Sequence, residues 1–142
     1  MARRFLLLLL PLAAALCTAL VPIQSASAQT SPAASTKAAG DPLRGAKLYE
    51  ARCGGCHSLD ANRIGPKHRG VVGRKAASIP DYMYSAALKR SKLVWTPANL
   101  DRWLTSPIRL VPGTRMAASV SVPADRADLI AYLASTSPAP KK

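Results

Sequence analysis

Hydrophobic positions in this 142-residue chain are spread very unevenly. The densest run, "FLLLLLPLAAALCTALV" from Phe5 to Val21, follows Arg3 and Arg4 and gives way to small and polar residues ending in "ASAQ". A basic start, an apolar middle and an A-x-A end describe a secretory signal peptide over residues 1–28, with cleavage expected after Ala28. A retained membrane anchor competes, because the run approaches the roughly 20 residues that span a bilayer. Pro11, Pro22 and the A-x-A end favour cleavage. A lipid-modified Cys17 is a third reading, which bulky Leu16 disfavours where a small residue is expected.

Beyond residue 28 the apolar positions turn sparse and take a helical period. "QTSPAASTKAAG", residues 29–40, has no period and reads as a flexible leader. Asp41 and Pro42 make a cap and first helical position, opening "PLRGAKLYEARCGGCH", with Gly45 and Tyr49 four apart on one face. Thr96 and Pro97 repeat that start for "TPANLDRWLTS", which ends before Pro107. Pro123 opens "PADRADLIAYLAS", where Leu129, Tyr132 and Leu133 share a face and Asp125, Arg126 and Asp128 are expected in solvent. A short helix is expected at Ser85–Lys89. No period-two alternation predicts a strand. The chain is therefore expected to be all-α, with three to four helices and long Gly/Pro-rich loops over a domain of residues 41–136. A flexible tail occupies 137–142.

Composition sharpens this in two ways. Twenty Lys and Arg against seven Asp and Glu give a net charge of +13, which becomes +11 once Arg3 and Arg4 leave with the signal. Such a field favours acidic partners. The basic residues are scattered singly, with no basic recognition helix, so nucleic acid is not an expected partner. Simple solubility is the blander explanation of the charge. The second point is the core: past residue 28 the aromatic residues are Tyr49, Tyr82, Tyr84, Trp95, Trp103 and Tyr132. So few large side chains imply a staple or a bound group in the middle.

"CGGCH", residues 53–57, supplies the candidate chemistry. Zinc needs four ligands, and without Cys17 the remaining soft candidates are Cys53, Cys56, His57 and His68, with His57 strained as the immediate neighbour of Cys56. A disulfide shuttle places its C-x-x-C at a helix start after a strand, whereas this pair follows a helix and no strand is expected. Covalent haem accounts for every element: residues i and i+3 share one side of a helical turn, so both sulfurs reach one edge of the macrocycle. His57 then falls under the iron, and C-x-x-C-H is the c-type attachment signature. One covalently attached haem c is the expected cofactor.

The sixth iron position has three candidates: Met83, Met116 and His68. Met116 closes "VPGTRM", where Pro112 and Gly113 permit a sharp turn between two helices. Met83 lies between two tyrosines and reads as a packing residue. His68 follows His57 by only eleven residues, a short tether for reaching the far face. Met116 is the expected ligand, and His/Met ligation raises the reduction potential.

With these residues in place, the chain resembles the class I cytochrome c family in its soluble bacterial form, over roughly Gly40–Ser135. The likeness rests on "GAKLYEARCGGCHSL", "GPKHRGVVGRKA", "VW" at 94–95, "VPGTRM" and "DLIAYL". It implies the small cytochrome c fold, with thioether anchors at Cys53 and Cys56 and axial ligands at His57 and Met116. It further implies that the Pro66 carbonyl holds the His57 ring, that Arg74, Tyr84 and Trp95 bond the haem propionates, and that Thr114 braces the methionine loop. Trp103 stands where many members have a tyrosine near the sulfur. Leu88, Ala118 and His68 also depart from the pattern, replacing a frequent asparagine, phenylalanine and haem-packing leucine.

The expected function is electron transfer by a periplasmic monomer, without catalysis. Its partners are expected to be acidic redox proteins such as a terminal oxidase, a cytochrome bc complex or a photosynthetic reaction centre. Lys47, Arg52, Arg63, Arg109 and Arg115 are expected to ring the haem edge. A haem peroxidase or gas-binding protein is the alternative from another class, and a haem subunit dedicated to a periplasmic dehydrogenase is a third.

Overall fold

The computed structural model describes residues 40–137. The signal-peptide reading, nearly all of the leader and the tail past Ser137 lie outside the described residues. Five helices follow in order: α1 Pro42–Arg52, α2 Ala86–Arg90, α3 Pro97–Thr105, α4 Pro107–Leu110 and α5 Pro123–Ser135. Three of the starts are capped by a side chain that the sequence supplies. The Asp41 carboxylate accepts from the Leu43 and Arg44 amides, Ser85 from Leu88, and Thr96 from Asn99. Each of these donors would otherwise be an orphan of the first turn.

Helices α1 and α5 cross at a glycine. A Cβ built on Gly45 would lie 2.1 Å from the Asp128 carbonyl oxygen and 2.8 Å from the Tyr132 Cβ, so only glycine allows the backbones this close. Below the crossing, Tyr49 packs on Tyr132 with ring centroids 5.3 Å apart. Leu100, Trp103 and Leu104 of α3 join Leu129 and Leu133 of α5 in the core.

Several expectations fail in instructive ways. Arg126 and Asp128 are 9% and 5% exposed and do not face solvent. Arg126 is buried because Asp101 and two carbonyls meet its guanidinium. Asp128 is buried because it accepts from the Asp41 amide and pairs with Arg44. Helix α4 is absent from the sequence reading: Pro107 does end α3, but it also serves as the first residue of a new turn. The short helix starts one residue later than expected, since Ser85 is its cap. Among the described residues, extended pairing is limited to a single bridge between Lys75 and Val94.

Candidate functional site

Helix α1 delivers the "CGGCH" segment. Its last turn closes at Cys53, and the chain keeps winding: the Gly54 amide donates to Tyr49 O (2.9 Å), and the Cys56 and His57 amides donate to Cys53 O at 3.0 and 2.8 Å. Cys53 and Cys56 are both free thiols, the first half-buried and the second exposed. Burial pushes the Cys53 thiol up to about 11.

His57 is held on three sides. Its Nδ1 lies 2.8 Å from Pro66 O, and a carbonyl can only accept, so Nδ1 carries the proton and Nε2 keeps its lone pair. Gly65 lies against one side: a Cβ there would come within 2.1 Å of His57 Cε1. The His68 imidazole is stacked on the ring with centroids 4.0 Å apart and planes 21° from parallel. Burial lowers the His57 pKa, which favours the neutral imidazole that a metal needs.

The second half of the site is the strap between α4 and α5. It turns at Val111–Thr114, where the Thr114 amide donates to Val111 O (3.1 Å) and Gly113 takes φ +86°, a value reserved in practice for glycine. Two residues on, Met116 Sδ accepts a hydrogen bond from the Trp103 indole N–H at 3.2 Å. Trp103 is braced edge-on by Trp95, with centroids 5.1 Å apart. The strap is then pinned to the helices: the Val120 amide donates to Leu104 O at 2.7 Å. Arg126 Nη1 donates to the Val120 and Ser121 carbonyls at 3.0 and 2.9 Å, while its Nε donates to Asp101 at 2.9 Å. Nothing in the helical period of α5 singles Arg126 out. Its partners are brought to it by the strap and α3.

Between these halves lies a cavity of about 660 Å³. Every residue assigned a site role from the sequence lines it: Cys53, Cys56, His57, Pro66, Arg74, Tyr84, Trp95, Trp103, Thr114 and Met116. This is the missing middle that the shortage of large side chains foretold. Arg74 donates to the Arg69 and Lys67 carbonyls at 2.9 Å each and meets no carboxylate among the described residues. Tyr84 packs edge-on against Tyr82 at 4.7 Å. Leu88 is buried in the cavity wall, and Ala118 sits exposed at the lining.

Other expectations divide. Arg52 and Arg115 line the cavity, Lys47 and Arg63 line a neighbouring groove beside His57, and Arg109 lines neither. Met83 is 80% exposed and lines the cavity, and its carbonyl accepts from Arg115. Among the described residues no group of three His, Cys, Asp or Glu gathers to hold a bare metal ion. The residues fit a haem instead. A largely apolar cavity of that volume carries a free imidazole Nε2, a thioether sulfur, two free thiols and a guanidinium without a carboxylate.

A protein-family model described as Cytochrome c matches residues 42–137. The chain belongs to the cytochrome c family. Cytochrome c from Euglena viridis is 44% identical over 97 residues, 66% of this chain and 95% of the relative. Cytochrome c2 from Rhodomicrobium vannielii is 44% identical over 105 residues, covering 71% of this chain and 83% of the relative. Among solved structures, cytochrome cH from Methylobacterium extorquens aligns with a TM-score of 0.65 and 43% identity, covering 68% of this chain and 99% of that one. The fold is thus the all-α cytochrome c fold, its cofactor one covalently bound haem c, and its activity haem-based electron transfer with redox partners. As a member of this family the protein is an electron carrier and not an enzyme, which sets the peroxidase reading aside.

Proposed function

We propose that this cytochrome c is an exported, periplasmic monomer that passes single electrons between acidic respiratory or photosynthetic proteins. A terminal oxidase, a cytochrome bc complex and a photosynthetic reaction centre are the partners its chemistry suits. Cys53 and Cys56 hold the haem through thioethers, and His57 and Met116 are its axial ligands. The bound iron supplies the one-electron couple; everything else is the work of the chain.

One observation carries the ligand assignment: Trp103 aims its N–H at Met116 Sδ inside the cavity that His57 also lines. A thioether sulfur has two lone pairs, so accepting from the indole leaves one for a metal. The donor fixes the sulfur's direction and draws density from it. On the other ligand, the Pro66 carbonyl holds the Nδ1 proton and thereby reserves Nε2. Among the described residues Arg74 meets no carboxylate, which suits it, together with Tyr84 and Trp95, to bond haem propionates. Thr114 belongs to the turn that carries Met116.

Support for docking to acidic partners lies in the charge of +11 that remains once Arg3 and Arg4 leave with residues 1–28, and in Arg52 and Arg115 at the cavity lining. Among the described residues no helix is long and apolar enough to cross a membrane. Export rests on the Arg-led apolar run, and an intact mass starting near Gln29 is the expected outcome for protein from its source.

The deciding experiment is a visible spectrum of the ferric protein with its variants. Native protein should show the weak near-red charge-transfer band of iron–thioether bonding. Met116→Ala should abolish it, lower the potential and open the iron to added cyanide, while Met83→Leu leaves the band unchanged. A native spectrum without the band, or a band that survives Met116→Ala, refutes the assignment.

A further inference from the structure

We infer that His68 is a positioning residue that sets the rotational orientation of the His57 ring; this rests on the reading above that His57 is an iron ligand. The geometry is that of a clamp. One side of the His57 imidazole lies against Gly65, where even a methyl group has no room. A face is covered by the His68 imidazole, 4.0 Å away and within 21° of parallel. The Pro66 carbonyl grips Nδ1. A single hydrogen bond to Nδ1 only partly restrains the ring from swinging about its Cβ–Cγ bond. A flat ring stacked on a flat ring resists that swing, because tilting either one loses contact over the whole face.

His68 is itself fixed for this task. Its backbone amide donates to Ser58 O at 2.9 Å and its carbonyl accepts from the Val71 amide at 2.9 Å, which ties it to the segment just after the "CGGCH" turn. Tyr49 meets its ring at 5.7 Å in an edge-on contact, so α1 backs the stack. The cost of placing an imidazole here is visible. His68 Nδ1 is enclosed and has no hydrogen-bond partner, and Tyr49 Oη is likewise enclosed and unpartnered. A leucine would fill the space without stranding a polar atom. What the imidazole offers and leucine lacks is a planar face.

The plane of an axial imidazole, together with the second axial ligand, sets the direction of magnetic anisotropy in a low-spin ferric haem, so a change in ring orientation can be read without any activity measurement. The experiment uses the holoprotein, native and with His68→Phe or His68→Leu, and records the paramagnetically shifted haem-methyl resonances and the low-temperature electron paramagnetic resonance spectrum. His68→Phe keeps a flat ring and should preserve the native order of the four methyl shifts. His68→Leu removes it and should reorder them and alter the spread of g values, with the near-red thioether band retained in both. A His68→Leu spectrum identical to native overturns the inference. So does a His68→Phe pattern that departs from native as far as His68→Leu, because then the imidazole nitrogen and not the ring face is what matters. If His68→Leu fails to accumulate, His68→Phe against native still decides: an unchanged order agrees and a changed one overturns. Loss of the thioether band from the native protein would sink the Met116 assignment alone, leaving the His57 readout intact.

Discussion

Replacing Arg126 with leucine tests whether the strap that carries Met116 is held by this one buried guanidinium. Leucine keeps the aliphatic bulk and removes three hydrogen bonds of 2.9–3.0 Å. Their losses are unequal. Val120 is 5% exposed, so its carbonyl is left in the interior without that donor, a cost of about 1–3 kcal/mol. Ser121 is exposed and its carbonyl rehydrates at little cost. The Asp101 side chain is 28% exposed, and the ion pair is correspondingly discounted to about 0–1 kcal/mol. The expected loss is about 1–4 kcal/mol, which corresponds to a fall in Tm of roughly 5–30 °C for a domain of this size. Thermal unfolding followed by far-ultraviolet circular dichroism measures it, with the exposed Arg90→Leu as a surface control. The near-red band should bleach at a lower denaturant concentration than the helices melt, because the strap loses its anchor while α1 and α5 keep their crossing. A Tm drop no larger than that of the control would show that the Arg126 guanidinium does not hold the strap. So would band loss and helix loss that coincide as in the native protein.

Three further outcomes follow from the same structure. Tyr49→Phe removes an enclosed hydroxyl without a partner and should stabilise the protein by about 1 kcal/mol. Burial raises the Tyr49 pKa from 10.0 to about 12; the unfolded chain ionises first, so native stability falls as pH rises from 10 to 12 and the advantage of the phenylalanine variant should widen across that window in denaturant titrations. Trp103→Phe deletes the donor to Met116 Sδ and should lower the reduction potential in a redox titration, an unchanged potential counting against the hydrogen bond. Electron-transfer rates with an acidic partner should fall steeply as the Debye length shrinks from roughly 30 Å at 0.01 M salt to about 8 Å at 0.15 M; flat rates would remove electrostatic steering from the account.

Features written in short stretches of sequence needed no tertiary information. Asp41 and Thr96 act within their own first turns, so two helix starts were legible from cap residues and the prolines beside them, whereas Ser85 was read as the first residue of a helix that it caps. Cys53, Cys56 and His57 carry their chemistry in their spacing, and Gly113 its left-handed turn beside Pro112. Few aromatic residues already implied a middle filled by something other than side chains. What the sequence could not decide was which groups from distant segments would meet. Arg126 and Asp128 look like solvent residues by helical period, yet they are buried because Asp101, the strap carbonyls, Arg44 and the Asp41 amide come from other elements to satisfy them. Gly65 is an ordinary loop glycine until His57 fills the place of its Cβ. His68, too closely tethered to serve the far side of the iron, turns out to lie flat against His57. Local spacing fixes what a turn can do by itself, whereas burial of a charge or the facing of two rings is a relation between segments, and only the packed chain creates it.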